Sequence, residues 1–206
     1  MLKLGCGTGV IWNGHLDVID GSEPVLPDFS EAMLDASRQT VGEQPNIRFE
    51  QIDIQAFPYP DDSFDVVIAN MMLYHVPDLH KGLSEARRVL RPGGRFYCAT
   101  FGERGHNCAI ARMLEAYGVS WQISAPFTLQ NGEEKMGTHF DRVERVDRAD
   151  ALLITDARDL ADYVLYLTGI NGIEDMTSER LRAFFEAKMA GGALRLPKEY
   201  GLFICQ

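Results

Sequence analysis

Met1-Leu2-Lys3-Leu4-Gly5-Cys6-Gly7-Thr8-Gly9 opens the chain: a short apolar run that ends in glycines at alternate positions. A second short apolar run, Val25-Leu26-Pro27-Asp28, closes on an acid. Strand, glycine turn, helix, strand, acid is how an open α/β sheet builds a nucleotide site at the carboxyl ends of its strands. Glycine lets the backbone approach a ligand where a Cβ would clash. The acid can accept hydrogen bonds from two ribose hydroxyls. The spacing is G-x-G-x-G, not the G-x-G-x-x-G of pyrophosphate-binding folds. By itself the triplet is also compatible with a tight strand-to-helix turn that holds no ligand, so the rest of the chain has to decide between the two.

Outward from this stretch, the chain alternates between strand and helix signals. Residues 9–24 read as a short helix and a loop. Ser30 is a good N-cap for a helix that packs Met33 and Leu34 inward. Ile47 to Ile52 reads as a third strand. Asp65-Val66-Val67-Ile68-Ala69-Asn70 is the near-continuous apolar run of a central parallel strand. Leu79, Leu83, Ala86 and Leu90 recur at helical spacing, and Arg91-Pro92-Gly93-Gly94 stops that helix. Arg95 to Thr100 is a fifth strand. Val143 to Ile154 and Gly201 to Cys205 supply two more, with helices capped by Asp156 and Thr177 between them. The expected fold is α/β: a doubly wound, mostly parallel sheet in a single domain over residues 1–206. Residues 102–140 break the alternation and read as a helical lid inserted over the site, with Trp121, Phe127 and Phe140 available to pack on substrate. Right-handed crossovers bring the Gly5–Gly9 turn, Asp28, Asp53 and Asn70 to one sheet edge. Four separate signals meeting in one crevice say far more than the glycines alone.

Composition narrows the function. At 206 residues the chain fits one α/β domain, with room for a small cap, and its formal charge is -10. An acidic surface repels phosphate backbones, so DNA and RNA are not expected substrates; neutral or cationic small molecules are tolerated. No apolar run approaches the roughly 20 residues of a membrane span, and residues 1–20 lack the basic start of a secretory signal. Cys6, Cys98, Cys108 and Cys205 are scattered without C-x-x-C pairing, which argues against zinc and against a disulfide framework. A reducing cytoplasm is the natural compartment. His15, His80, His106 and His139 show no metal-ligand spacing, so no metal site is assigned.

Five segments, taken in order, resemble the successive motifs of class I S-adenosylmethionine-dependent methyltransferases. They are Leu4–Gly9, Pro27–Leu34, Asp53–Pro58, Ser63–Asn70 and Arg88–Gly94. The resemblance covers about half the chain and implies a Rossmann-like methyltransferase fold with S-adenosyl-L-methionine as cofactor. It implies that Gly5, Gly7 and Gly9 wrap the methionine portion, Asp28 binds the ribose, and Phe29 and Met33 flank the adenine. Asp53 would accept from the adenine amino group, the Ile54 backbone would face the ring, and Asn70 would sit where backbone meets the methionine amino group. Tyr74 and His75 lie where substrate would approach and are the candidates for catalysis, His75 as a base or as a loop-orienting polar residue. The expected function is methyl transfer to a small-molecule acceptor; the alternative is a binding protein of the same fold with little or no turnover. A nicotinamide-dependent oxidoreductase shares the sheet and the ribose acid, but the glycine spacing speaks against it. Two departures stand out. Lys3 occupies a position where the family usually has an acid, and either sets a positive charge near the sulfonium or snorkels away. The family also usually has a helical segment before the first strand. The expectation is therefore a longer native chain or a more open site.

Overall fold

The computed structural model describes residues 1–42, 44–189 and 191–206. Its strands and helices, in chain order, are β1 (Leu2–Leu4), β2 (Val25–Asp28), α1 (Glu31–Val41), β3 (Arg48–Gln51), β4 (Phe64–Asn70), α2 (Leu79–Arg88), β5 (Leu90–Phe101) and α3 (His106–Met113). The remaining elements are β6 (Ser120–Trp121), α4 (Gly132–Gly137), β7 (Val143–Ile154), α5 (Ala157–Tyr166), β8 (Ile170–Asn171), α6 (Ser178–Lys188) and β9 (Leu194–Cys205). The chain forms two compact units. The first holds Met1–Thr100, Pro126–Val146 and Gly201–Gln206; the second holds Phe101–Ala125 and Asp147–Tyr200. Residues 102–140, read from sequence as one insertion, are shared between them: 102–125 belong to the second unit and 126–140 to the first.

The first unit is built on a sheet of order β3-β2-β1-β4-β5-β9-β7, to which it contributes residues 201–205 of β9 and 143–146 of β7. Strands β1 to β5 pair in parallel, with Leu2 opposite both Val25 and Val67 and Asn70 opposite Ala99. Arg142 and Gln206 exchange both backbone hydrogen bonds, the antiparallel pattern. β1 lies between β2 and β4 in the sheet, and all three of its residues are buried. That suits Leu2 and Leu4 and makes Lys3 the anomaly. Pro27 has no N–H to donate, yet its carbonyl accepts from the Cys6 N–H at 2.9 Å, which ties β2 to the glycine turn.

Several elements differ from the sequence expectation. Residues 10–12 and 16–19 make two short 3-10 turns in place of one helix. Met33, expected inside, is 41% exposed, and α1 buries Leu34, Ser37 and Val41 instead. Leu90, expected on the helix, begins β5 opposite Phe64; the next pairing is Val66 with Arg95, so residues 91–94 loop out of the ladder. Phe127 and Phe140, expected to face substrate, are buried in the first unit's core. Phe140 stacks on Phe96 at 5.4 Å and Phe127 meets Phe203 edge-on at 5.8 Å. Burying large rings gives more stabilisation than leaving them at a wet surface, which is why these aromatics went inward.

The loop before β4 is pinned to α2 by one guanidinium. Arg88 donates to both carboxylate oxygens of Glu85 at 2.7 and 2.8 Å, to Asp61 at 2.8 Å and to the Tyr59 carbonyl at 2.8 Å. Glu85 also accepts the Phe57 N–H at 2.9 Å. The Arg88 hydrogen bonds hold the Glu85 carboxyl below its ordinary 4.5. A depressed carboxyl stabilises the fold above its unfolded pKa and loses that effect as pH falls through the folded one. Arg88→Ala should therefore cost about 1–3 kcal/mol near neutral pH. In urea melts, the gap to the wild type should narrow below about pH 4. A gap that does not change with pH would remove Glu85 from the account.

The second unit has its own core, in which Ile110, Leu114, Leu160, Val164, Leu181 and Phe185 are buried together. Its helices are capped as their sequences direct: Asp156 accepts from the Arg158 and Asp159 N–H groups, and Thr177 from that of Arg180. Strands β6 and β8 form a two-stranded antiparallel ribbon, Trp121 opposite Ile170. Neither of these two-residue strands was expected from the sequence pattern. Among the described residues no helix is long and apolar enough to cross a membrane.

Candidate functional site

The carboxyl ends of β1, β2 and β4 open onto a cavity of about 670 Å³ within the first unit. That lies within the range of small-molecule sites, roughly 300–1,000 Å³. Gly5, Gly7, Asp28, Phe29, Met33, Asp53, Ile54, Asn70 and His75 all line it. Gly9 and Tyr74 are outside that lining. Tyr74 is half-buried against the core. Gly9 turns away toward α1, where a Cβ built on it would lie 2.6 Å from the Ser37 Oγ.

The glycine turn needs its glycines for backbone reasons. Gly7 has φ +58° and Gly9 φ +75°, the left-handed region that side chains disfavour. A Cβ on Gly7 would meet nothing within 4 Å, so the peptide faces open space in the cavity wall. Its N–H donates to Asp28 Oδ2 at 2.8 Å, while Asp28 Oδ1 accepts the Ser30 N–H at 3.0 Å. The Asp28 carboxylate is thus fixed by two backbone donors, and each oxygen keeps acceptor capacity for a ligand.

Phe29 follows Asp28 and is 74% exposed. Its backbone is held by Gln51, whose Nε2 donates to the Phe29 carbonyl at 3.0 Å. An exposed aromatic beside half-exposed Met33 on a cavity rim offers a lip to a flat apolar ring. Asp53, which also lines the cavity, accepts the Gln55 N–H at 2.8 Å and its Nε2 at 3.1 Å on Oδ1. The backbone hydrogen bond from Gln55 is the first cause holding that carboxyl below its ordinary value, and the Gln55 side chain adds to it. Asp53 therefore closes a turn and presents a charged acceptor at once.

Lys3 settles one open alternative: it does not snorkel to solvent. It is 2% exposed, lines the cavity, and donates from Nζ to the Leu4 carbonyl at 3.0 Å and the Gly5 carbonyl at 3.2 Å. Burial lowers its pKa to about 8.

The wall also contains residues that the sequence pattern did not single out. Val10 and Ile11 are exposed apolar residues just past the glycines, and Met72 lies beside Gly5. Met71 has φ +54°, a left-handed backbone unusual for a side chain of its size. The one available signal was an apolar pair, Val10-Ile11, directly after the glycine turn. The chemistry on offer is a pair of fixed carboxylates, an apolar lip and a bare-backbone turn, with no cluster of metal-binding side chains among the described residues.

Residues 2–98 match the family described as Methyltransferase domain. A demethylmenaquinone methyltransferase of Clavibacter sepedonicus is 37% identical over 101 residues, covering 49% of this chain and 40% of that protein. A ubiquinone/menaquinone biosynthesis C-methyltransferase of Ectopseudomonas mendocina is 31% identical over 135 residues, covering 64% of this chain and 52% of that protein. The chain thus spans about half, or less, of the length of these curated relatives. The solved structure of the YcgJ protein of Bacillus subtilis has a TM-score of 0.58 at 17% identity, covering 98% of this chain and 89% of that one. At that identity the likeness concerns the fold.

Proposed function

We propose that the protein transfers a methyl group from S-adenosylmethionine to a small-molecule acceptor, a reading supported by the match of residues 2–98 to the methyltransferase-domain family. The observation that carries this reading is the convergence of Gly7, Asp28, Phe29, Asp53 and Asn70 on one cavity. The bare Gly7 backbone, the fixed Asp28 carboxylate and the exposed Phe29 ring fit the three parts of an adenosyl amino acid: tail, sugar and base.

In this reading Asp28 accepts from the ribose hydroxyls, and Phe29 and Met33 cover the adenine. Asp53 accepts from the adenine amino group, and the Ile54 backbone faces the ring. Gly5 and Gly7 follow the tail, with Gly9 setting the turn from behind, and Asn70 meets the tail's amino end. When bound, the sulfonium supplies an activated methyl group and a neutral thioether leaving group. The chain's own task is then alignment of the acceptor, which in ideal cases is worth up to about 7–11 kcal/mol. His75, exposed on the cavity wall, is the candidate base for an acceptor that must lose a proton; Tyr74 would act behind it.

The names of the two relatives concern quinone biosynthesis, which supports a small organic acceptor. Choice of acceptor is assigned to residues beyond 98, where the family match stops. Four free cysteines, three of them buried, support a reducing cytoplasm. The second reading, a cofactor-binding protein with little or no turnover, is favoured by one observation: the buried positive charge of Lys3.

Calorimetric titration with S-adenosylmethionine, adenosylhomocysteine and NADH, together with turnover on an acceptor panel, separates these readings. Binding with turnover is expected. Binding without turnover on any acceptor supports the second reading, and preference for NADH sinks both. Phe29→Ala should weaken adenosylhomocysteine binding by about 0.5–1.5 kcal/mol, the worth of an aromatic contact. Because the ring is already exposed, the melting temperature should hardly move. A variant that loses stability but not affinity would mean Phe29 serves the fold alone.

A further inference from the structure

Methyl transfer as proposed leaves Lys3 without a task. An ammonium has three N–H donors. The Leu4 and Gly5 carbonyls take two of them. Among the described residues no carboxylate is in ion-pair contact with Lys3. The groups that face it are Cys6 of the glycine turn, Asp28 of β2 and Cys98 of β5; its neighbour on β4 is Ile68, which carries no charge. Asp28 is the one acid among them, and it is oriented by the Gly7 and Ser30 N–H groups rather than by a hydrogen bond from Lys3. A buried cation without a paired anion destabilises a fold unless something completes it. Lys3 is among the residues that line the 670 Å³ cavity, next to the turn assigned to the ligand's tail.

We propose that Lys3 is the counter-ion for the carboxylate of the cofactor's amino-acid tail, so that this end of the tail lies against the floor of the glycine turn. The inference rests on the assignment of S-adenosylmethionine to this cavity. A carboxylate would take the third N–H in a charge-assisted hydrogen bond, stronger than a neutral one. It would also cancel the charge that otherwise opposes a cationic sulfonium in the same cavity. Burial adds a pH signature. With its free-protein pKa near about 8, the lysine is charged at neutral pH, and a bound carboxylate raises that value further. Carboxylate-dependent affinity is then fully present below about pH 8 and falls as pH rises through the bound-state value.

The test is calorimetry on the wild type and Lys3→Met with three ligands: adenosylhomocysteine, its decarboxylated analogue, and 5′-methylthioadenosine, which lacks the amino-acid tail. The wild type should prefer adenosylhomocysteine over the decarboxylated analogue. Lys3→Met should weaken adenosylhomocysteine by about 10- to 100-fold, leave the decarboxylated analogue within about threefold, and so erase the preference. An equal loss for both ligands, no loss, or tighter binding of adenosylhomocysteine overturns the proposal. The wild type alone gives a second measurement that needs no variant to fold. Its preference for the carboxylate-bearing ligand should hold up to about pH 8 and decline from there to about pH 9.5, and a flat preference overturns the proposal too. If methylthioadenosine binds while either test fails, Lys3 alone loses its role. If no nucleoside binds at all, the cofactor reading falls with it.

Discussion

Asp28→Ala is expected to weaken adenosylhomocysteine binding by about 1–3 kcal/mol, or roughly 5- to 150-fold in the dissociation constant. The size comes from how the carboxylate is held. Gly7 and Ser30 donate one backbone N–H to each oxygen, so the acid is oriented before any ligand arrives and loses little side-chain freedom on binding. Alanine removes both ligand acceptors and also unties the glycine turn from β2. Those two effects can be separated. The turn contact should appear as a loss of about 1 kcal/mol in unfolding free energy, the worth of a typical hydrogen bond. The rest should appear only in the binding isotherm. Asp28→Asn is expected to fall between the two proteins, because its amide NH₂ must face one of the two backbone donors. An isotherm for Asp28→Ala that overlays the wild type would take Asp28 out of the site.

Gly9→Ala should produce the largest stability change of any single methyl added in the glycine turn. Left-handed backbone costs a residue with a Cβ about 1–2 kcal/mol, and at Gly9 the new carbon would lie 2.6 Å from Ser37 Oγ, 3.0 Å from Val41 Cγ2 and 3.1 Å from Ser37 Cα. Ser37 and Val41 sit on the buried face of α1 and have little room to give. Overpacking of this kind adds about 1–3 kcal/mol, so a total of about 2–5 kcal/mol is expected in urea denaturation. Gly7→Ala carries the same backbone penalty with no neighbour within 4 Å. It should cost about 1–2 kcal/mol in stability and act chiefly on ligand binding, since that carbon enters the cavity wall. The ordering is the sharp part of the prediction: a Gly7 variant less stable than the Gly9 variant would mean that α1 does not press on the turn.

The parts of the fold that announced themselves did so through local rules. The glycine turn, the acid ending β2, the unbroken apolar run of β4 and the serine, aspartate and threonine caps are each set by neighbours in sequence. What stayed hidden depends on partners far along the chain. Phe127 and Phe140 lie in a polar, aperiodic stretch, and only the distant rings of Phe203 and Phe96 explain why they are buried. Strands β6 and β8 are two residues each, too short to carry a period. Met33 and Leu34 are adjacent, equally apolar and on one helix; the pattern could not say that Leu34 enters the core while Met33 borders a cavity. At the site the same limit applied in reverse. Val10 and Ile11, apolar residues left exposed on the cavity wall, carried no mark in the sequence that set them apart from core material.

One property of the first unit bears on how the protein is made. The family-matched stretch stops at residue 98, but Phe127, Leu129, Met136, Phe140, Phe203 and Cys205 share a core with Phe96 and Cys98. A fragment cut at residue 100 would leave β5 as a naked apolar edge, an aggregation hazard rather than a minimal enzyme. On the ribosome, too, this layer stays unfinished until residue 205 has emerged. The nascent nucleotide-fold half must therefore be shielded until that residue is made, and dissecting the protein at the family boundary should yield inclusion bodies.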